Sequence, residues 1–245
     1  MHSTPPKNIL RPTGQAIADF SMIKDGDKIL VAVSGGKDSL SLVHALLHFK
    51  AHAPINFDVG AMTVNPESDD FDPSPLKSYF PTLDVTYHFV SEPIVELAKE
   101  HMNKDSFCSF CSRMRRGLMY KTARQNGYNV LALGQHLDDL AESFLMASFH
   151  GGQLKTMKAH YQIDEGDLRV IRPFVYVREK FLAQFAHDTA LPVIKDNCPA
   201  CFGKPTQREA MKQLLANQEA NYPNTFKSLK TALLPLMMPT EVTEQ

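Results

Sequence analysis

An α/β fold with a doubly wound, mostly parallel sheet is what this sequence predicts, and three observations predict it. Short apolar runs alternate with segments of helical periodicity along most of the chain, the pattern of a parallel sheet covered on both faces. The first apolar run breaks into a glycine-rich turn and is followed at once by a helical pattern. The chain is 245 residues long, 43% hydrophobic and 22% charged, which is enough for a sizeable core in an ordinary globular protein.

The elements follow in order. "KILVAV" (28–33) reads as a buried strand and 38–50 as the helix after it. "FDVGAMTV" (57–64) and "VTYHFV" (85–90) are further strands, the second with period-two character. Residues 94–102 and 109–126 read as helices, "NVLAL" (129–133) as a buried strand, and about Asp138 to Phe149 as the next helix. "LRVIRPF" (168–174) and "LPVIK" (191–195) are short apolar runs flanking a helix near 178–190. Two helices close the chain, near 206–218 and 224–234, the first opened by Thr206 with Glu209 three residues on, as in a capping box. The stretch 65–75 reads as a Pro-rich acidic loop, and the tail after Pro235 as loose.

Bulk properties exclude some classes. No apolar run approaches the roughly 20 residues that cross a bilayer, and "MHSTPPKNILRPTG" lacks the apolar stretch of a secretory signal. The expected location is the cytoplasm, where thiols stay reduced. A net charge of −1 gives no global pull toward nucleic acid, although a local basic patch is compatible with it.

The turn after the first strand, Ser34-Gly35-Gly36-Lys37-Asp38-Ser39, has the character of a phosphate cradle. Glycines let the backbone approach an anion, and the free amides and dipole of the following helix hold negative charge. It is not a Walker A loop, because Val31 stands where that motif has its first Gly and Asp38 where it has Ser or Thr. No G-x-G-x-x-G dinucleotide fingerprint occurs. Asp38 would repel a bare phosphate, which suggests an intervening Mg²⁺. Asp138 and Asp139 fall at the end of a later strand, where open parallel sheets bind ligands. They read either as helix caps or as Mg²⁺ ligands together with Asp38.

All four cysteines form two C-x-x-C pairs, Cys108/Cys111 and Cys198/Cys201. In a reduced compartment that favours a metal over disulfides. The 112–197 stretch between the pairs exceeds a zinc-ribbon spacing and contains the second acid motif, so the pairs must meet across the fold. Spacing alone leaves an iron–sulfur centre and a structural Cys₄ zinc equally open. Arg113, Arg115, Arg116, Lys121 and Arg124 carry no acid among them and read as an RNA-phosphate surface or a solvated helix face. His136 reads equally as structural or catalytic.

Strand followed by S-G-G-K-D-S resembles the PP-loop of the ATP pyrophosphatase superfamily, which splits ATP between its α and β phosphates. "LALGQHLDDLAES" (131–143) is similar to the second superfamily motif. "TGQAIADFSMIKDGDKI" (13–29), "CSFCSRMRRGLMYKTA" (108–123), "FHGGQLKTM" (149–157), "VIRPFVYVREK" (170–180) and "CPACFGKPTQREAM" (198–211) all resemble the tRNA 2-thiocytidine synthetase family. The likeness covers about the whole chain. It implies an ATP-dependent enzyme that adenylates the C2 oxygen of a tRNA cytidine and replaces it by sulfur, with ATP, Mg²⁺ and a [4Fe–4S] cluster as cofactors.

Carried residue by residue, the resemblance implies a catalytic set of Lys37, Asp38, Ser39 and Asp138. It implies nucleotide contacts from Ser34, Gly35, Gly36, Lys37, Asp38, Ser39, Gly134, Asp139 and Arg172, and Mg²⁺ on Asp38, Asp138 and Asp139. Cluster ligands would be Cys108, Cys111 and Cys201, with Cys198 possible; sulfur transfer needs an open coordination position, which argues for three ligands rather than four. Expected partners are tRNA, a sulfur donor such as a cysteine desulfurase and a second copy of the chain, with no membrane. A PP-loop domain over 1–204 would include the cysteine segments, and a C-terminal helical region over 205–245 would pack on it. Two positions depart from the family: Gln135 stands for its His and Leu137 for the Arg before the acid pair. They keep open a PP-loop enzyme that thiolates another tRNA base or a small molecule. A non-catalytic nucleotide-binding protein with a Cys₄ zinc is the alternative of a different class.

Overall fold

The computed structural model describes residues 3–68, 71–101, 107–194 and 206–238, with the side chains of 99–101 and 107–108 outside that description. A six-stranded sheet runs through its centre in the order β3-β2-β1-β4-β6-β5. The strands are β1 (Asp27–Ala32), β2 (Phe57–Asn65), β3 (Thr86–Ser91), β4 (Val130–Ala132), β5 (His160–Gln162) and β6 (Arg169–Ile171). Neighbours pair in parallel except β5 with β6, which is antiparallel at one edge. Val31 stands level with Ala61 and Ala132, and Ala132 with Ile171, so the loops after these strands emerge along one edge of the sheet.

The central strands read as unbroken apolar runs because both faces are covered. Side chains alternate between those faces: Ile29, Val31, Val130, Ala132 and Ile171 join one core, and Leu30, Leu131 and Val170 the other. The larger core takes α1 (Lys7–Asp19), α2 (Lys37–His52) and α7 (Glu179–Asp188) through Ile9, Leu42, Leu46, Leu182 and Phe185. The smaller takes Met119 and Ala123 of α5 (Phe107–Gln125), beside which packs α4 (Ile94–His101). A short α3 (Ser74–Tyr79) precedes β3, and α6 (Leu137–Gly151) follows β4. Helices α8 (Gln207–Asn221) and α9 (Thr225–Met237) both pack on α6.

Some expectations needed tertiary contacts to correct them. The N-terminal stretch was not expected as an element, yet α1 forms with Pro12 inside it, Ile9 and Ala16 fully buried, and Thr13 Oγ1 donating to the Ile9 carbonyl at 2.6 Å. Helix α9 passes Pro235 and ends at Met237, which is buried and whose carbonyl accepts from Ala159 N at 2.9 Å. The helix therefore continues for two residues beyond the proline. Of the 191–195 run, 191–194 form no strand. Ile194 instead donates its amide to the Gly35 carbonyl at 2.9 Å.

The chain leaves β1 toward β2 and β3 on one side and returns to β4 on the other. The loops after β1 and β4 therefore diverge, and a crevice opens between them at the carboxyl ends of the strands. No helix among the described residues is long and apolar enough to cross a membrane.

Candidate active site

The loop after β1 is tied to the start of α2 by its own hydroxyls. Ser34 N donates to Ser39 Oγ at 3.2 Å, Ser39 Oγ donates to the Gly36 carbonyl at 2.9 Å, and Gly36 N donates to Ser34 Oγ at 3.3 Å. Gly35 has φ +91°, open to glycine but strained for other residues, and a Cβ there would stand 3.1 Å from Ile194. Among the described residues no side chain caps α2, so its first-turn amides keep their donors for an anion.

The loop after β4 meets this one closely. A Cβ on Gly134 would lie 3.1 Å from Ser39 N and 3.2 Å from the Asp38 carbonyl carbon, both backbone atoms. His136 then caps α6: its Nδ1 accepts from Asp139 N at 3.3 Å, and its own amide donates to Asp139 Oδ2 at 3.1 Å. Its other nitrogen, Nε2, lies 3.4 Å from Asp139 Oδ2 and 3.8 Å from Asp38 Oδ2. His136 thus stands between two carboxylates that come from the first turns of different helices, α2 and α6. Asp38 Oδ1 is buried with no hydrogen-bond partner among the described residues, and burial raises the carboxyl above its usual range. An orphaned buried carboxylate oxygen beside a second acid is a donor set that suits a hard divalent cation.

These residues line a cavity of about 500 Å³, within the range of small-molecule sites. Ser34, Asp38, Ser39, Gly134, Gln135 and Asp139 form its polar side, and Met62, Val64, Met119 and Leu133 its apolar side. Arg115 of α5 and Arg208 of α8 complete the wall. The Arg115 Nε is buried without a hydrogen-bond partner among the described residues.

Several expected residues stand elsewhere. Asp138 turns away from the cavity to pair with Arg178, whose Nε donates to it at 3.1 Å, and to accept from Glu179 N at 2.8 Å. Its carboxylate caps α7, so the acid pair splits between two tasks. Lys37 lies behind the loop, with Nζ 3.1 Å from Asp38 Oδ2 and 2.9 Å from Glu179 Oε1. Burial opposes its charge, but the two carboxylates outweigh that and raise its pKa. Arg172 is buried and donates to Gln135 Oε1 at 3.0 Å and the Lys158 carbonyl at 2.6 Å. It orients Gln135 instead of facing the cavity, and with the carboxamide oxygen so held the NH₂ of Gln135 is left for the cavity.

The basic stretch on α5 is also divided. Arg124 forks onto Asp167 at 2.6 and 3.0 Å and lies 3.7 Å from Glu165, so acids from the turn between β5 and β6 neutralise it. Arg115 faces the cavity. Arg113, Arg116 and Lys121 are exposed on the helix.

Of the cysteines, Cys198 and Cys201 lie outside the described residues, as does the Cys108 side chain. Cys111 is half-buried, one helical turn before Arg115 and two before Met119, on the α5 face that lines the cavity. The segment with the other pair is anchored at both described ends beside the cavity: Ile194 on Gly35, and Arg208 Nη1 on Asp139 Oδ1 at 3.0 Å.

Sequence reasoning missed an ion-pair network behind the site. Glu179 joins Lys37 to Lys212 of α8, the latter at 2.7 Å. Arg178 forks onto Glu219 at 2.7 and 2.8 Å. Burial opposes the Glu179 charge, yet the two lysines pull its pKa down to about 2. No spacing rule could link these residues, which come from α2, α7 and α8.

The PP-loop domain family matches residues 7–218. A tRNA-cytidine(32) 2-sulfurtransferase of Aeromonas salmonicida is 38% identical over 229 residues, 93% of this chain and 75% of that protein. The enzyme of the same name from Geobacter sulfurreducens is 39% identical over 228 residues, 93% of this chain and 89% of its own. Among solved structures, the U34-tRNA thiolase NcsA from Methanococcus maripaludis, determined with its [4Fe–4S] cluster, superposes with a TM-score of 0.76 at 20% identity. That match covers 94% of this chain and 78% of the thiolase, and it shows a shared fold. On its cradle, its cavity and these relatives, the chain belongs to the PP-loop family and, within it, to the tRNA-cytidine(32) 2-sulfurtransferase family.

Proposed function

We propose that this protein is an ATP-dependent sulfurtransferase that replaces the C2 oxygen of a tRNA cytidine by sulfur. The observation that carries the reading is the cavity itself: an uncapped helix start and two serine hydroxyls face two acids, one with an orphaned buried oxygen. This suits a magnesium nucleotide. The names of the relatives, at 37–39% identity, supply the substrate class.

The chemistry needs the base oxygen to become a leaving group. The C2 oxygen attacks the α-phosphorus of ATP, the bond from that phosphorus to the bridging oxygen breaks, and pyrophosphate departs with the electron pair. Ser34, Ser39 and the first amides of α2 would hold the pyrophosphate, with its charge spread over fixed donors. Asp38 and Asp139 would hold Mg²⁺; Asp138 is committed to Arg178 and stands outside that set. Arg115 and the Gln135 amide would contact the nucleotide or base. Sulfur at the sulfide level then adds to C2 as the C2–O bond breaks, and AMP leaves.

Cys108, Cys111 and Cys201 would hold a [4Fe–4S] cluster, which supplies an iron able to keep sulfide beside the base. The position of Cys111 on the cavity face and the two anchored ends of the Cys198–Cys201 segment support the fit. A cysteine desulfurase whose persulfide is reduced by thiols to sulfide, and a second copy of the chain, are the expected partners. Labelled ATP with tRNA tests the reaction: AMP and pyrophosphate are the expected products, with 2-thiocytidine in the tRNA digest. ADP as the main product would sink the reading. Cys201→Ser should lose iron and sulfide from anaerobically purified protein while Cys198→Ser keeps them; equal loss in both would argue for a closed four-thiolate site.

A further inference from the structure

Arg208 stands in the first turn of α8, where the positive end of the helix disfavours a cation. What holds it there is the opposite wall: Nη1 is 3.0 Å from Asp139 Oδ1 and Nε 3.8 Å from Glu142 Oε2. The side chain is 49% exposed and lines the cavity with Ser34, Asp38 and Ser39. It therefore occupies the acid that a divalent cation arriving with a nucleotide would claim. A cation on Asp139 draws on the same carboxylate charge that holds the guanidinium and repels it.

Helix α8 does not depend on this contact. Lys212–Glu179, the Arg178–Glu219 fork and the buried Met211 and Leu215 dock it independently. If Arg208 is displaced from Asp139, it stays at the cavity. It is then left facing the same space as the loop hydroxyls.

We propose that Arg208 is a pyrophosphate ligand held in reserve: it exchanges Asp139 for the β- and γ-phosphates when magnesium ATP enters. The inference rests on the reading of the cavity as an ATP pyrophosphatase site. The path from Asp139 through His136 Nε2 to Asp38 keeps Arg208 at the loop end of the cavity, at the phosphates and not the base. Guanidinium is suited to the exchange, because its planar fork matches carboxylate and phosphate oxygens alike.

Calorimetric binding of ATP, AMP and inorganic pyrophosphate, with and without Mg²⁺, tests this on the purified full chain. Arg208→Gln should weaken magnesium ATP and magnesium pyrophosphate by about 10- to 100-fold, the range for a lost charge-assisted hydrogen bond, and leave AMP unchanged. Arg208→Lys should recover part of the loss. In metal-free buffer Asp139→Asn should bind pyrophosphate more tightly than wild type, because it frees Arg208, and the gain should vanish in the double variant with Arg208→Gln. Lys212→Gln, which loosens α8 without touching the cavity, should lower Tm but keep the ratio of ATP to AMP affinity. Equal weakening of AMP and pyrophosphate in Arg208→Gln, or no weakening of either, would overturn the proposal and leave Arg208 a clamp. Wild-type protein that binds neither ATP nor pyrophosphate would instead overturn the nucleotide reading beneath it.

Discussion

The loop from Ser34 to Ser39 holds its shape through hydrogen bonds between residues at most five apart. The wall beside it is joined by Asp138–Arg178, Arg208–Asp139 and Lys37–Glu179, which are 40, 69 and 142 residues apart. Both regions border one cavity, and both are rich in charge and hydroxyls. They differ in what a substitution should do. The loop aims donors at a ligand, so damage to it should appear in turnover. The ion-pair wall fastens α7 and α8 to α6 and α2, so damage to it should appear first in stability; Arg208–Asp139 is the exception, because α8 docks without it.

The largest expected effect lies in the loop. Asp38→Ala or Ser39→Ala should lower AMP release by about 10²- to 10³-fold, the usual loss for one preorganised contact to developing charge. Melting temperature should change little in Asp38→Ala, whereas Ser39→Ala should also lower it by a few degrees, about the effect of losing one or two buried hydrogen bonds, because its buried hydroxyl bonds Ser34 N and the Gly36 carbonyl. Wild-type turnover in both variants would show that the cradle is wrongly placed.

The adjacent acids give a sharper contrast. Asp138→Asn breaks a pair whose side chains are 12% and 14% exposed. Breaking such a pair costs about 3 kcal/mol, a fall of about 6–12 °C in Tm for a chain of this size. Asp139→Asn should leave Tm nearly unchanged and raise the Mg²⁺ needed for half-maximal turnover. Thermal melts and magnesium titrations of the two variants decide this, and a reversed outcome would exchange the roles of the two residues.

The smallest effect concerns pH. Burial, with Asp139 adding to it, pushes Glu142 from its ordinary value of 4.5 up to about 7. The folded chain then holds a proton that the unfolded chain has released, so this residue lowers stability as pH climbs from 4.5 toward 7. Glu142→Gln removes that slope. In metal-free buffer the variant should gain Tm relative to wild type between about pH 5 and pH 8. A constant difference across that range would mean that Arg208 and Lys212 keep Glu142 charged throughout.

Gly134 and Asp139 were legible as site residues because 131–143 resembles the second superfamily motif, an acid pair at a strand end. Which acid of the pair faces the ligand was not legible, since Asp138 and Asp139 have the same chemistry and only the position of Arg178 separates them. The same holds for the arginines. Arg115 and Arg124 look alike in a run without acids, until Asp167 arrives from the turn between β5 and β6 to neutralise one of them.

What the sequence by itself determined is the part set by local pattern. Apolar runs of strand length predicted β1, β2 and β4; Ser-Gly-Gly-Lys-Asp-Ser predicted an anion cradle at the end of β1, because its backbone conformation and hydroxyl bonds are made among neighbours. Only the tertiary structure decided the rest: that Arg172 serves Gln135, that Lys37 and Glu179 form a link to Lys212, and that Arg208 of α8 reaches Asp139. These are charges brought within about 3 Å by chain segments distant in sequence. Coulomb attraction depends on where the folded backbone places the partners, and composition and spacing along the chain do not carry that information.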